Sequence, residues 1–187
     1  IAIIWLNATK EDYEINLDET HLTLKVDAVP KDKEALVTGI EDIPLPPGKT
    51  IHEISVTATD GSIRVYTLTI NREPSSNPNP KSIDINNIYD YLCDLNDIYC
   101  NYVFDKDITN YDIKYPYDTD NITFVVNKLT PYQDVKIYKD NLDTPLEGFK
   151  VNLEPGINTF LIEMISEDKQ SKIFTYNIDR DITGKYL

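Results

Sequence analysis

The sequence predicts an all-β protein of two tandem antiparallel β-sandwiches, residues 1–73 and 81–187, joined by a proline-rich linker at 74–80. Three observations predict it. One segment occurs twice in the same register, apolar residues alternate with period two, and the turns between the alternating runs carry Gly, Pro and Asp.

The repeat sets the organisation. LPPGKTIHEISVTATDGSIRVYTLTINRE, from Leu45 to Glu73, matches LEPGINTFLIEMISEDKQSKIFTYNIDRD, from Leu153 to Asp181, without a gap. Gly48 aligns with Gly156, Asp60 with Asp168, Tyr66 with Phe174, Ile70 with Ile178 and Arg72 with Arg180, each pair 108 residues apart. Self-similarity at a fixed spacing marks a module used more than once. Upstream, YEI at Tyr13 matches YDI at Tyr111 at a spacing of 98. The second copy is therefore about ten residues longer through its middle, as loops vary between modules that share a core.

Within each copy the elements are strands. In HLTLKVDA, Leu22, Leu24, Val26 and Ala28 share one face, and Thr23, Lys25 and Asp27 the other. Ile54, Val56 and Ala58 share a face in the next strong strand, and Tyr66, Leu68 and Ile70 in the last. The second copy repeats these parities with Ile162 and Met164, then Phe174, Tyr176 and Ile178. Such alternation marks half-buried antiparallel strands. It places Ile54, Val56, Tyr66, Leu68 and Ile70 in one core, and Ile162, Met164, Phe174, Tyr176 and Ile178 in another. Asp60-Gly61 between two such runs predicts a tight hairpin. Asp168-Lys169 lacks the glycine, which predicts a looser or different turn. Short strands at this spacing, with no sustained helical stripe, read as a β-sandwich.

EPSSNPNP, from Glu73 to Pro80, has three prolines and little to bury, so it reads as a short, semi-rigid linker. The second module then begins near Lys81 and has about 18 residues, through Ile98, that the first lacks. The first module thus lacks its opening strand, which is absent from the sequence or supplied by another part of a parent protein. The opening IAIIWL is too short for a secretory signal, and the chain reads as a piece of a longer one.

Composition excludes several partners. The net charge is −14. The acidity is shared, with 13 acidic against 7 basic residues up to Pro80 and 19 against 11 beyond it. A phosphate backbone requires clustered Lys and Arg, which this chain does not have, so nucleic acid is not an expected partner. No apolar run is long enough to insert into a membrane. Cys93 and Cys100 permit one short-loop disulfide or two free thiols.

The second copy carries a recognisable pattern. FDKDITNYDIKYPYDTDNITFVV from Phe104, followed by VNLEPGINTFLIEMISEDKQSKIFTYNIDR, resembles the bacterial cadherin-like β-sandwich domain. The shared features are a Phe-Asp pair, a Tyr-containing strand, a Leu-x-x-Gly-x-Asn turn, an alternating strand and an acidic turn. A Tyr-x-x-x-Ile-x-Arg close follows, with Phe174 standing for the tyrosine in this copy. The first copy matches from Leu6 to Arg72, with Leu6-Asn7 replacing Phe104-Asp105 and Thr50 replacing Asn158. The resemblance implies an immunoglobulin-like or cadherin-like module that is extracellular or on the cell surface, often in tandem on bacterial surface proteins and secreted enzymes. It implies no catalytic residue and no cofactor.

Candidate sites are few. Asp118, Asp120, Asp94 and Asp97 lie in acidic turns, but calcium needs several clustered oxygen ligands, and the Asp-x-Asn-Asp-Asn signature of animal cadherins is absent. We expect calcium to leave the melting temperature unchanged. A rise of several degrees would show a native-state site. His21 and His52 stand apart, without a serine or cysteine nucleophile to serve. Arg72 and Arg180 end their modules and are expected to anchor the last strand to a carboxylate. Seven of the thirteen tyrosines fall between Tyr89 and Tyr117. Tyr111 matches Tyr13 and is expected to be structural. Tyr89, Tyr91, Tyr99, Tyr102, Tyr115 and Tyr117 are candidates for a glycan platform, because tyrosine has a flat apolar face and a polar tip. The sequons at Asn7 and Asn121 matter only in a source that glycosylates secreted proteins.

The reading is a non-catalytic spacer or adhesion module of a bacterial surface or secreted protein, not an enzyme. Its expected partners are other domains of that parent, with a glycan or a protein as ligand. The alternative is a carbohydrate-binding accessory module of a secreted enzyme.

Overall fold

The computed structural model describes residues 9–86 and 102–183. Along an extended backbone, alternating side chains leave one face to bury and one to hydrate. The described residues form strands where that alternation runs. The first unit, Ile1–Ser75, holds β1 (Asp12–Leu17), β2 (Thr23–Lys25), β3 (Leu36–Thr38), β4 (Asp42–Pro44), β5 (Gly48–Thr57) and β6 (Ile63–Arg72). The second, Ser76–Leu187, holds β7 (Ser82–Asn86), β8 (Asn110–Tyr115), β9 (Asn121–Asn127), β10 (Asp134–Lys139), β11 (Lys150–Asn152), β12 (Gly156–Ile165) and β13 (Ser171–Arg180). Among the described residues no helix is long and apolar enough to cross a membrane.

Each unit stacks two sheets. Their strand orders are β1-β6-β5-β3 with β2-β4, and β10-β12-β13-β8 with β11-β9-β7. In the second unit Ile122, Phe124 and Val151 of one sheet share a core with Phe160, Ile162, Phe174 and Tyr176 of the other. In the first, Leu24 and Ile43 share a core with Ile54, Leu68 and Ile70. Of the ten residues expected inside, eight are buried, and Val56 and Tyr66 are half-buried. One pairing departs from the antiparallel expectation. β1 runs parallel to β6, and β8 parallel to β13. The chain passes through the opposite sheet between them and returns in the same direction.

The repeat holds strand by strand. β5 and β12, like β6 and β13, differ by 108 at both ends, whereas β1 and β8 differ by 98. Tyr13 opposes Leu68 as Tyr111 opposes Tyr176. Val37 opposes Val56 as Val135 opposes Met164, so the spacing changes only after β3. The extra residues extend β10 and then turn at Asp140, whose φ is 66° and whose neighbour Asn141 bonds back to the Lys139 carbonyl at 2.8 Å.

The two hairpins correct the expectation of different turns. In the first, the Gly61 amide meets the Ala58 carbonyl at 3.0 Å, the Ala58 amide meets Ser62 at 2.9 Å, and Gly61 has φ 85°. This is a three-residue loop closed by a left-handed residue. The second is the same, with Lys169 bonded to Ser166 at 3.1 Å, Ser166 to Gln170 at 2.8 Å, and φ 74° at Lys169. A left-handed side chain costs about 1–2 kcal/mol. Local bonds hold it there: the Ser166 hydroxyl donates to Asp168, and the Gln170 amide donates to Ser166 Oγ at 3.0 Å. We expect Lys169→Gly to stabilise the second unit by roughly 0.5–1 kcal/mol, part of the strain relief being lost to chain entropy. Chemical denaturation would measure it, and a destabilised variant would refute the strain.

The proline-rich stretch is partly built into the second unit. Buried Gln133 donates from Nε2 to the carbonyls of Asn77 and Asn79 at 2.9 and 3.0 Å, while its Oε1 accepts from the Leu129 amide at 2.7 Å. Lys172 Nζ reaches Asn79 Oδ1 at 2.8 Å. The Lys81 amide then bonds the Asn127 carbonyl at 2.8 Å and opens β7.

Candidate functional site

Among the described residues, Tyr102, Tyr111, Tyr115 and Tyr176 of the second unit turn inward where a sugar platform requires tyrosines to face out. Strand parity places Tyr111, Ile113 and Tyr115 of β8 on the core face. Tyr176, fully buried on β13, is the hub. Its ring stacks on Tyr111 at 5.0 Å and meets Phe124 edge-on at 5.1 Å. Tyr102 lies edge-on to both Tyr111 and Tyr176, at 5.2 and 5.9 Å. Its hydroxyl donates to the Ile83 carbonyl and meets the Tyr176 hydroxyl at 2.9 Å. Burial pushes the phenols of Tyr102, Tyr115 and Tyr176 well above their ordinary range, so they stay neutral.

Tyr102 and Tyr115 therefore leave the proposed glycan platform, because their rings fill core volume. Tyr117 is half-exposed, with the Arg180 guanidinium 5.5 Å from its ring centre. Tyr89, Tyr91 and Tyr99 lie outside the described residues, as do Cys93 and Cys100 with their disulfide alternative. The signal that Tyr115 is internal was its parity with Tyr111 and Ile113.

The repeated motifs prove to be structural devices. Phe104 packs against Phe174 at 5.5 Å, and Tyr111 clamps Asp105, accepting from its amide at 2.9 Å and donating to its carbonyl at 2.7 Å. Buried Asn158 accepts from the Glu154 amide at 2.8 Å and donates to the carbonyls of Glu154 and Gly156 at 2.7 and 3.0 Å. It thereby closes the Leu-x-x-Gly-x-Asn turn. Thr50, its counterpart, lacks an amide that could both accept and donate in this way.

The closing arginines anchor the last strand, but mainly to backbone. Arg180 donates to the carbonyls of Tyr117 and Leu153 at 2.8 and 2.7 Å, and to Asp120 Oδ1 at 2.7 Å. The expected carboxylate is thus one of three partners. Arg72, buried, donates to the Glu19 carbonyl at 2.7 Å, and Glu19 aligns with Tyr117.

Acids and histidines do comparable work. Asp18 accepts from the Thr20 hydroxyl and amide and meets His21 Nδ1 at 2.9 Å, which holds its carboxyl down at about 2. His52, half-buried and aligned with Phe160, also bonds: its Nε2 meets the Gly39 carbonyl at 2.8 Å. Gly39 approaches β5 so closely that an added Cβ would sit 2.2 Å from the Glu53 carbonyl oxygen. Asp94 and Asp97 lie outside the described residues. Among the described residues no three His, Cys, Asp or Glu side chains gather as a metal site. The polar groups of these motifs are aimed at the backbone of their own unit, an arrangement that fixes turns and strand ends.

A family model described as a cadherin-like beta sandwich domain matches residues 5–73 and again 82–180. No curated protein matches the chain. Among solved structures, the chain is similar to human mucin-like protocadherin EC1-2, at 11% identity and TM-score 0.35, covering 91% of this chain and 95% of that one. It is also similar to the human desmocollin-1 ectodomain, at 11% identity and TM-score 0.29, covering 92% and 40%. Fibronectin(III)-like modules of Clostridium thermocellum CbhA follow at 7% identity and TM-score 0.28, covering 95% and 94%.

Proposed function

Because this chain belongs to the cadherin-like beta sandwich domain family in both of its halves, we propose that it is a spacer or adhesion segment of a bacterial surface or secreted protein, held outside the cell. Modules of this family are typically extracellular and non-catalytic. One observation carries the reading. Strand limits and registers repeat between the units, and the motifs that repeat with them, Arg72 with Arg180 above all, are spent on holding each unit together. A segment whose recurring residues serve only its own fold is suited to setting distance or presenting a surface.

Two measurements test this. Antibodies against the 187-residue chain should label intact, unpermeabilised cells of the source. Labelling only after permeabilisation would overturn the extracellular reading. Beads coated with the chain then separate the two roles: clumping identifies adhesion between copies, and dispersal leaves the spacer role.

A further inference from the structure

The buried tyrosines of the second unit place their hydroxyls on protein partners, with one exception. Tyr111 donates to the Asp105 carbonyl at 2.7 Å, Tyr138 donates to Glu163 Oε2 at 2.9 Å, and Tyr176 meets the Tyr102 hydroxyl at 2.9 Å. Tyr115 does not follow them, and a threonine close by in the sequence shares its condition. Among the described residues, Tyr115 Oη and Thr119 Oγ1 are buried without a hydrogen-bond partner. The two residues are only 2% and 7% exposed. Tyr115 closes β8, and Thr119 lies on the crossover that leads from it to β9.

The crossover is pinned, so neither residue can swing out to water. The Tyr115 carbonyl accepts from the Asp181 amide at 2.9 Å, and the Thr119 amide bonds the Pro116 carbonyl at 3.1 Å. On either side of Thr119, Arg180 holds the Tyr117 carbonyl at 2.8 Å and Asp120 Oδ1 at 2.7 Å. The Asp120 carbonyl accepts from the Leu153 amide at 2.9 Å. A buried hydroxyl left unpaired costs about a factor of ten in the unfolding equilibrium. Two on one fixed segment therefore point to a partner other than a protein group.

The first unit supplies an internal control. At the spacing of 98, Leu17 stands for Tyr115 and His21 for Thr119. Leu17 has no polar side-chain atom, and His21 Nδ1 meets Asp18 Oδ1 at 2.9 Å. One module has both hydroxyls and the other has neither, which ties the two to each other and not to the shared fold.

We propose that Tyr115 Oη and Thr119 Oγ1 hold one internal water between them, a solvent site peculiar to the second unit. The chemistry selects water. Each hydroxyl both donates and accepts, so its partner must do the same. An ion inside an apolar core needs an opposite charge beside it, which neither hydroxyl supplies. A buried water needs at least about two polar partners, and these hydroxyls provide them. The water ties the end of β8 in one sheet to the entry of β9 in the other.

The test uses the whole chain. Cross-relaxation from a long-lived water should reach the Tyr115 ring protons and the Thr119 methyl, and Tyr115→Phe should abolish the signal at Thr119. In chemical denaturation, Tyr115→Phe and Thr119→Val should each raise the unfolding equilibrium constant of the second unit roughly fivefold. The double variant should lose no more than either single one, because the two groups share a partner. Stabilisation by either substitution would overturn the proposal, since it would mean a bare hydroxyl. Additive losses would also overturn it, by showing two separate partners. So would the absence of cross-relaxation, or a crystal structure with a protein group against Tyr115 Oη.

Discussion

Replacing Tyr176 with alanine is expected to destabilise the second unit by about 4 kcal/mol and to leave the first unit's transition in place. Tyr176 is fully buried, between Tyr111 on β8 and Phe160 on β12 by register. Its ring touches three other aromatic rings, so truncation opens a cavity that neighbours on three strands cannot close. For a unit of this size the loss corresponds to a fall of roughly 20 °C in melting temperature. Tyr176→Phe keeps the ring and removes only the bond to the Tyr102 hydroxyl, so about 1 kcal/mol is expected. Calorimetry on the whole chain would separate the two transitions. A fall of only a few degrees for the alanine variant would mean that the aromatic cluster does not hold the core.

Arg180→Ala should destabilise the second unit by about 2 kcal/mol, since the carbonyls of Tyr117 and Leu153 lose the guanidinium they share. The arginine side chain is only 11% exposed, so water cannot easily replace its bond to Leu153, whereas Asp120, 78% exposed, is rehydrated. Arg180→Lys is the informative control. An ammonium can reach one partner but cannot reproduce the fork to the β13 neighbours Tyr117, Leu153 and Asp120, so at least half the loss should remain. If lysine restored full stability, the charge and not the fork would be responsible.

Strand phase was legible because burial at every second residue is a local property, and Leu24, Ile54, Leu68 and Ile70 show it without knowledge of their neighbours. Strand direction was not. Tyr13 pairs with Leu68 across 55 residues, and an alternating strand looks the same from either side whichever way its partner runs. Tyrosine was ambiguous for a different reason, since one residue type serves both a core and a binding face. Parity with Tyr111 and Ile113 carried the answer for Tyr115, which was nonetheless read as a platform residue, and carried none for Tyr102, which lies outside any strand. The turn at Lys169 was misread because its left-handed backbone is held by Ser166, Asp168 and Gln170 together, and single-residue turn preferences do not register such cooperation. The closing arginine was placed correctly at a strand end, but its carbonyl partners lie in loops that only the folded chain brings near.

The parallel edge pair has a mechanical consequence. β1 and β6 run side by side over six paired positions, from Asp12 opposite Thr67 to Leu17 opposite Arg72. One leads into the first unit's body and the other leaves it, so tension on the two ends drags these strands past each other along their own axes. The bonds between them lie across that pull and must stretch together, whereas a hairpin opened from its free ends loses its bonds one at a time. β8 and β13 repeat the arrangement from Asn110 opposite Thr175 to Tyr115 opposite Arg180. Tension carried through such a pair makes it yield abruptly at high force instead of peeling gradually at low force, and in the second unit that tension first meets β7, which precedes β8 and pairs with β9.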